Sequence, residues 1–340
     1  MDPLILDDHG TFLGKHSERL VVRRGKEVLR EVPLFQVGQV LITTPGASLS
    51  AAAVHACVEH GITITFLGRR GEPLACLSSP ALTATVRTRR EQLAAYEDER
   101  GAALARRLSA GKARNQMNLL RSFAKYRRAR HPEVFAAVER HVARMAALLA
   151  EFDAVPETRV EAIRARILNL EGRAAAHYWE GVRALLAGRC DFPGREHQGT
   201  ADPVNAMLNY GYGVLYSQAW QALTLAGLEP FAGFLHVDRP GKPSLVLDFV
   251  EEFRAPVVDR TVLAMLGKGF RPRMIEEGEG VRLAPETRRE LAARVLARLE
   301  DRHPYEGKRC QLRTILARQA GRLAVFLRRE GDYQAFVLGW

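Results

Sequence analysis

The stretch SSPALTATVRTRREQLAAYEDERGAALARRL, residues 78–108, separates two parts of the chain that have different hydrophobic periods. Before it, short runs rich in β-branched residues alternate with turn sequences, which is typical of strands. After it, apolar residues recur every three or four positions, which is typical of amphipathic helices. Residues 78–86 contain proline and small polar residues and predict a linker. We therefore expect a β domain over 1–80, a linker and the start of the helical region over 81–100, and a helical domain over 101–340.

One helix interrupts the predicted strands. In SLSAAAVHACVEH (48–60), Ser48 or Ser50 can cap the N-terminus, and Gly61 ends the helix. Short strands of this kind bury their apolar faces when two small sheets pack together. The helical part contains long amphipathic segments, several of which begin with proline in the first turn. The predicted fold class is thus α+β, with a small N-terminal β-sandwich-like domain followed by a large all-α domain.

The composition of the 340 residues is that of a soluble protein with an ample core. No run of 18 apolar residues and no signal-peptide pattern is present, so we expect a cytoplasmic protein with no membrane association. The cysteines show no CxxC spacing, which argues against a structural zinc site or a disulfide framework. These cysteines are Cys57, Cys76, Cys190 and Cys310.

Positive charge is concentrated in one segment. The formal net charge is +11, and residues 87–130 hold 13 Lys or Arg against 4 acids, a surplus of +9. Within it, RSFAKYRRARHP (121–132) alternates aromatic rings with cations. This pattern favours contact with the phosphates of a nucleic acid, DNA or RNA, although a basic solvated helix face is the alternative. The cations predicted to make these contacts are Arg121, Lys125, Arg127 and Arg128.

Glu171 lies in an apolar stripe of its predicted helix, ILNLEGRAAAHYW (167–179). At a period of 3.6, its neighbours on the same face are all apolar. An unpaired buried charge is costly, so this carboxylate needs a cation or a metal ion, or stays protonated. A salt bridge to an arginine of another helix and a role as metal ligand are both open.

The stretch FLHVDRPGKPSLVLDFVEEFR (234–254) supplies further candidate ligands. Pro243 can begin a helix on which Asp248, Glu251 and Glu252 share one narrow sector. By periodicity alone this sector is a solvated face. However, His236 precedes it through a basic turn, and a histidine with carboxylates from separate elements can hold Mn²⁺ or Mg²⁺, the imidazole favouring manganese.

Taken in order, these motifs resemble the CRISPR-associated integrase family, the DNA endonucleases of the CRISPR adaptation machinery. The resemblance runs almost from end to end. It rests on the following stretches: LGKHSERLVVRRGKEVLREVPL, SLSAAAVHACVEHGITITFLGRRGEPL, ILNLEGRAAAHYW, DPVNAMLNYGYGVLYSQ, FLHVDRPGKPSLVLDFVEEFR and YQAFVLGW.

The resemblance implies a catalytic metal, Mn²⁺ or Mg²⁺, held by Glu171, His236 and a carboxylate of the DFVEE segment, by position Glu251. Some members have Asp where Glu251 stands, and helix phase leaves Glu252 open as the ligand. Asp248 matches a family position near the metal, and Lys242 matches one beside the active site. Asn205 and Tyr216 match positions close to the DNA.

The resemblance also implies the reaction and the assembly. The expected activity is metal-dependent DNA cleavage and insertion of short duplexes into a CRISPR repeat, through attack of a 3′-hydroxyl on a phosphodiester. The expected assembly is a homodimer formed through the β domains, two of which join a small ferredoxin-fold partner protein in a heterohexamer on double-stranded DNA. The alternatives are a non-catalytic basic DNA-binding scaffold and a phosphodiesterase acting on a small substrate.

Overall fold

The structure is a computed structural model that describes residues 2–68, 71, 73–77, 86–156, 158–196, 202–277 and 280–339. The N-terminal part consists of strands and one helix, α1 (Ala51–Glu59). The strands are β1 (Asp2–Leu6), β2 (Thr11–His16), β3 (Arg19–Arg24), β4 (Glu27–Pro33), β5 (Val37–Ile42), β6 (Ser48–Leu49), β7 (Thr63–Leu67) and β8 (Pro73–Leu77).

These strands form two four-stranded sheets. The first has the order β1-β5-β7-β8, in which β8 alone runs antiparallel to its neighbour. The second has the order β4-β3-β2-β6, with antiparallel β2–β3 and β3–β4 pairs. Apolar side chains of both sheets and of α1 form one buried cluster. Ser50 caps α1 by accepting the N–H of Ala53, and Gly61 follows the helix with φ +66°. The predicted pair of small sheets and the capped helix are confirmed.

The rest of the chain is mainly helical, which confirms the α+β class. Two helices begin inside amphipathic segments rather than at their first residue. Asp98 is extended and accepts the N–H of Arg100, so a new helix begins after it. The segment around Pro156 becomes helical only at Val160. The helices are α2 (Val86–Ala94), α3 (Glu99–Ala124), α4 (Pro132–Asp153), α5 (Val160–Leu186), α6 (Pro203–Leu225), α7 (Ser244–Phe253), α8 (Arg260–Gly267), α9 (Pro285–Glu300) and α10 (Leu312–Leu327).

The all-α description of the C-terminal part is wrong in one respect, because two β-hairpins interrupt the helices. The first pairs β9 (Met274–Glu277) with β10 (Gly280–Leu283), and the second pairs β11 (Arg302–Tyr305) with β12 (Lys308–Gln311). In the second turn, Glu306 and Gly307 both have positive φ, 52° and 75°. Two successive residues of this kind make the tight turn that joins antiparallel strands.

Helix α3 positions the candidate site, because it packs against α4, α5 and α7. The predicted linker, apart from Val86, lies outside the described residues. None of the helices in the described part of the chain is long and apolar enough to cross a membrane.

Candidate functional site

The centre of the candidate site is one ammonium group shared by two carboxylates. Nζ of Lys112, on α3, lies 2.6 Å from Oε1 of Glu171 on α5 and 2.8 Å from Oε2 of Glu251 on α7. Their side chains are only 11%, 16% and 3% exposed, respectively. Ser109 donates a further hydrogen bond to Oε2 of Glu171 at 3.3 Å. Glu171 thus finds a cation on another helix, and this cation is a lysine rather than an arginine.

Arg254 is a second cation at Glu251. It begins a π-helical segment, residues 254–259, that continues α7. Its Nη1 lies 2.7 Å from Oε1 of Glu251, Nη2 donates to the hydroxyl of Tyr216, and the guanidinium lies 4.8 Å from the ring centre of Tyr212. Burial by itself raises the pKa of Glu251, but Arg254, Lys112 and His236 outweigh it and hold this pKa well below its ordinary value. Glu251 is therefore ionised in the folded protein.

Lys112 and Arg254 are residues of the candidate site that the sequence did not predict. Arg254 had a local signal, because it stands three positions after Glu251 on the same helix. Lys112 lies in SAGKARNQ (109–116), a run of small and polar residues that is mostly buried in α3. A lysine in a buried run of this kind needs an anionic partner, just as the carboxylate of Glu171 in its apolar stripe needs a cation or a metal. The sequence around Lys112 therefore contained a signal for a buried ion pair.

Asp248 fixes the position of His236. The carboxylate is 1% exposed and accepts the backbone N–H groups of Phe234, Leu235 and His236 at 2.6, 3.0 and 3.0 Å. Its Oδ1 also lies 2.6 Å from Nδ1 of His236. When the imidazole is neutral, this contact keeps the proton on Nδ1 and leaves the lone pair on Nε2. Both oxygens of Asp248 are already engaged by donors.

Glu252 points away from Glu251 and belongs to another network. It is fully buried and accepts hydrogen bonds from the hydroxyl of Tyr333 at 2.8 Å, the N–H of Phe336 at 2.5 Å and Nε2 of Gln319 at 3.3 Å. Asp248, Glu251 and Glu252 are all buried, so the solvated-face alternative for this sector is wrong.

The other predicted site residues differ in accessibility. Lys242 is half-buried in the turn before α7, and its N–H donates to the carbonyl of Arg239 at 2.9 Å. Asn205 is fully buried, and its amide bonds Gly194, Arg195, Glu196 and Asp202. Its side chain therefore orders the loop before α6, and contact with DNA would require these hydrogen bonds to break.

The predicted phosphate-binding cations lie at the C-terminal end of α3 and in the turn after it. We call Arg121, Lys125, Arg127 and Arg128 the basic end. Three of them are exposed and Arg127 is half-buried, and in the described part of the chain none of the four forms an ion pair with a carboxylate. Beside them, Tyr126 is 75% exposed, with Nζ of Lys125 4.9 Å from its ring centre. Several other cations of 87–130 are paired with acids, as in Arg100–Asp98, Arg107–Asp332 and Arg114–Asp153.

Within the described residues, no group of three or more His, Cys, Asp and Glu side chains is arranged to hold a metal ion. The side chains at the centre of the site nevertheless suit one chemically. Oε2 of Glu251 is buried and, apart from its ion pair with Lys112, accepts no hydrogen bond from the described part of the chain. Two carboxylates on separate helices and a neutral imidazole are donors that Mn²⁺ accepts readily.

Comparisons with known proteins agree with one another. The matching family model, described as CRISPR associated protein Cas1, covers residues 4–296. The CRISPR-associated endonuclease Cas1 1 of Archaeoglobus fulgidus is 37% identical over 345 residues, which cover 99% of both chains. A casposase bound to its integration product has a TM-score of 0.82 at 24% identity, covering 98% of this chain and 92% of the casposase. A Cas6-RT-Cas1–Cas2 complex has a TM-score of 0.77 at 20% identity, covering 98% of this chain and 36% of that one.

At these identities the two structural likenesses concern the fold alone. The family match extends over most of the chain, and the archaeal relative aligns with it almost from end to end. The chain therefore belongs to the CRISPR-associated Cas1 family.

Proposed function

We propose that this chain is a metal-dependent DNA endonuclease and integrase that inserts short foreign DNA duplexes into a CRISPR repeat array. The relative from Archaeoglobus fulgidus is named an endonuclease, and the similar casposase was solved with an integration product. The observation that carries the proposal is the convergence of Glu171 and Glu251, from separate helices, on one cation position close to His236.

In this proposal Glu171, Glu251 and Nε2 of His236 hold Mn²⁺ or Mg²⁺. When bound, the ion polarises a phosphoryl oxygen and lowers the pKa of the attacking 3′-hydroxyl. Glu251 is preferred over Glu252 as the ligand, because Glu252 is engaged by donors of α10 and of the C-terminal segment, residues 328–339. Asp248 acts as a positioning residue. Its contact with Nδ1 of His236 orients the ring so that Nε2 faces away from Asp248.

The protein's own cations then act on charge in the site. Arg254 keeps Glu251 ionised, and its guanidinium is held by the rings of Tyr212 and Tyr216. Lys242, in the turn before α7, would neutralise negative charge that develops on the phosphate during attack of the 3′-hydroxyl. If water attacks instead, the same groups perform hydrolysis.

Binding of the duplex is assigned to the basic end. Contacts to phosphates carry no information about base sequence. Binding of the duplex would therefore be nearly independent of its sequence and sensitive to salt. By analogy with the similar complex that contains Cas2, we propose a homodimer formed through the β domains, and two such dimers joined by a ferredoxin-fold partner in a heterohexamer.

A non-catalytic DNA-binding scaffold is the second candidate, and one observation favours it: Glu171 is ion-paired with Lys112. In a scaffold, the ion pairs of Glu251 with Lys112 and Arg254 would be purely structural. This candidate predicts DNA binding that does not change with metal.

The deciding experiment is joining of a labelled short duplex to a supercoiled plasmid that carries a CRISPR repeat, with the partner protein present. Wild type, His236→Ala and the control His177→Ala are compared in Mn²⁺, Mg²⁺ and EDTA. His177 is on the same helix as Glu171 but contacts His141 of α4. We expect joining with either metal, none in EDTA, and a loss of about 10³-fold in His236→Ala alone. Duplex binding without joining under every condition would support the scaffold.

A further inference from the structure

Lys112 occupies the space between the two carboxylates that would hold a metal ion. Its Nζ lies within 2.8 Å of one oxygen each from Glu171 and Glu251. A divalent ion bound by the same two oxygens would lie about 2.0–2.6 Å from each of them. An ammonium group and a metal ion cannot both occupy this space.

Charge leads to the same conclusion. The carboxylates of Glu171 and Glu251 are balanced by Lys112 and Arg254. Adding a divalent ion to these four side chains, which together are neutral, would add two positive charges to them. Removing one of the two cations reduces that excess, so metal binding favours departure of a cation.

Of the two cations, Lys112 is the one that can leave. The guanidinium of Arg254 is held between the rings of Tyr212 and Tyr216, at 4.8 and 5.4 Å from their centres, and it bonds the Tyr216 hydroxyl. The ammonium of Lys112 contacts the two carboxylates at the end of a flexible four-carbon chain.

We propose that Lys112 is a built-in counter-ion that holds Glu171 and Glu251 together in the metal-free protein and is displaced when the metal binds. This inference rests on the proposed function, because it requires a metal at these carboxylates. The displaced ammonium stays tethered to α3 beside the site, where a DNA phosphate is the counter-ion that the reaction brings. Metal binding then prepares a phosphate contact.

The displacement is measurable as amine reactivity, without any activity assay. The wild-type protein is treated with a lysine-acetylating reagent in EDTA or in MnCl₂, and modified peptides are quantified by mass spectrometry. Lys112 is 11% exposed and ion-paired, so we expect slow acetylation in EDTA and acetylation several-fold faster in Mn²⁺. Lys268, exposed at the end of α8, is the internal control and should react equally in both. Equal reactivity of Lys112 in both conditions would overturn the displacement.

Metal affinity gives a second, independent test. Mn²⁺ binding is measured by calorimetry for wild type, Lys112→Met, Lys112→Gln and the matched control Lys268→Met. Without the competing ammonium, we expect both Lys112 variants to bind Mn²⁺ about tenfold tighter, a difference of about 1.4 kcal/mol. The Lys268 variant should match wild type. Unchanged or weaker binding in both Lys112 variants would overturn the inference.

Glu251→Gln separates the two proposals. If wild type binds Mn²⁺, Glu251→Gln does not, and Lys112 stays unreactive, the displacement fails and the metal site stands. If neither wild type nor any Lys112 variant binds Mn²⁺, the proposed function and the displacement both fail.

Discussion

Glu251 and Glu252 are adjacent residues of α7 whose carboxylates have opposite electrostatic environments. Glu251 faces two cations, and its pKa lies well below the ordinary value. Within the described residues, Glu252 accepts hydrogen bonds from neutral donors only, and burial outweighs these bonds and raises its pKa to about 8. Hydrogen bonds from neutral groups therefore satisfy a buried carboxyl group here without keeping it ionised, whereas cations keep it charged.

Asp248→Asn should weaken both the fold and the site. The two carboxylate oxygens of Asp248 accept hydrogen bonds from three backbone N–H groups and contact Nδ1 of His236. The amide of asparagine has only one oxygen that can accept them. We expect a loss of about 1–3 kcal/mol in the free energy of unfolding, measured in urea, together with reduced joining. Asp238→Asn, an exposed position in the turn after His236, is the control. Wild-type stability in Asp248→Asn would contradict this role.

His303, on β11, should make the protein sensitive to acid. Burial, and then Arg298 and Arg260, lower its pKa from 6.5 to about 4. The unfolded chain therefore takes up a proton as pH falls below about 6.5, before the folded protein does. Stability from the neutral imidazole is present above pH 6.5 and is lost toward pH 4.

The test of this sign is thermal unfolding of wild type and His303→Gln at pH 7.5, 6.0 and 4.5. We expect the melting temperature of wild type to fall more steeply with acid than that of the variant. Parallel curves for the two proteins would show that His303 does not titrate with a lowered pKa.

At the scale of elements, the C-terminal segment holds α3 and α7 together beside the site. Asn115, one turn after Lys112 on α3, donates to the carbonyls of Glu252 and Phe336 at 2.9 and 2.7 Å and accepts the N–H of Leu338 at 2.8 Å. The ring of Phe336 stacks on that of Phe253 at 5.4 Å. This segment therefore fixes the spacing between the helices that carry Lys112 and Glu251.

Asn115→Ala should destabilise the protein by about 2–4 kcal/mol, because it leaves buried backbone groups of both elements without partners. Asn118→Ala is the matched control on the same helix, because Asn118 is half-buried and, among the residues that the structure describes, its amide makes one hydrogen bond, to the carbonyl of Leu338 at 3.0 Å. Urea unfolding should show a loss below about 1 kcal/mol for the control. Equal losses in both variants would argue against a special role of Asn115.

Helix starts that depend on a cap or a proline next to the helix could be predicted from the sequence. Of the two serines that could cap α1, Ser48 and Ser50, the structure has Ser50 as the cap, and Pro243 marked the start of α7. The second hairpin was missed, because its signal is the short dipeptide Glu306–Gly307 between long helical patterns. The ion pair of Lys112 with Glu251 was also missed. These residues are far apart in the sequence, and only the packing of α3 against α7 brings them together.

At the scale of the whole molecule, the charge of +11 is distributed unevenly. Ion pairs neutralise much of the basic segment near the start of α3, as in the contacts of Arg100 with Asp98 and Glu91. The basic end shows no such pairing in the described structure. The surplus positive charge of the helix is therefore concentrated beside Tyr126, whose exposed ring can stack on a base or a sugar.

Removing two cations of the basic end should change the salt dependence of DNA binding. The affinity for a short duplex is measured from about 50 to 200 mM salt for wild type and for the double variant Lys125→Ala/Arg128→Ala. Two lost phosphate contacts should reduce the slope of log affinity against log salt concentration by about 1.8, with weaker binding to every duplex sequence. The matched control is Lys268→Ala/Arg294→Ala, which removes the same charge from α8 and from the exposed Arg294–Glu290 pair of α9. If both double variants reduce the slope equally, DNA responds to net charge alone, and the basic end is not the binding surface.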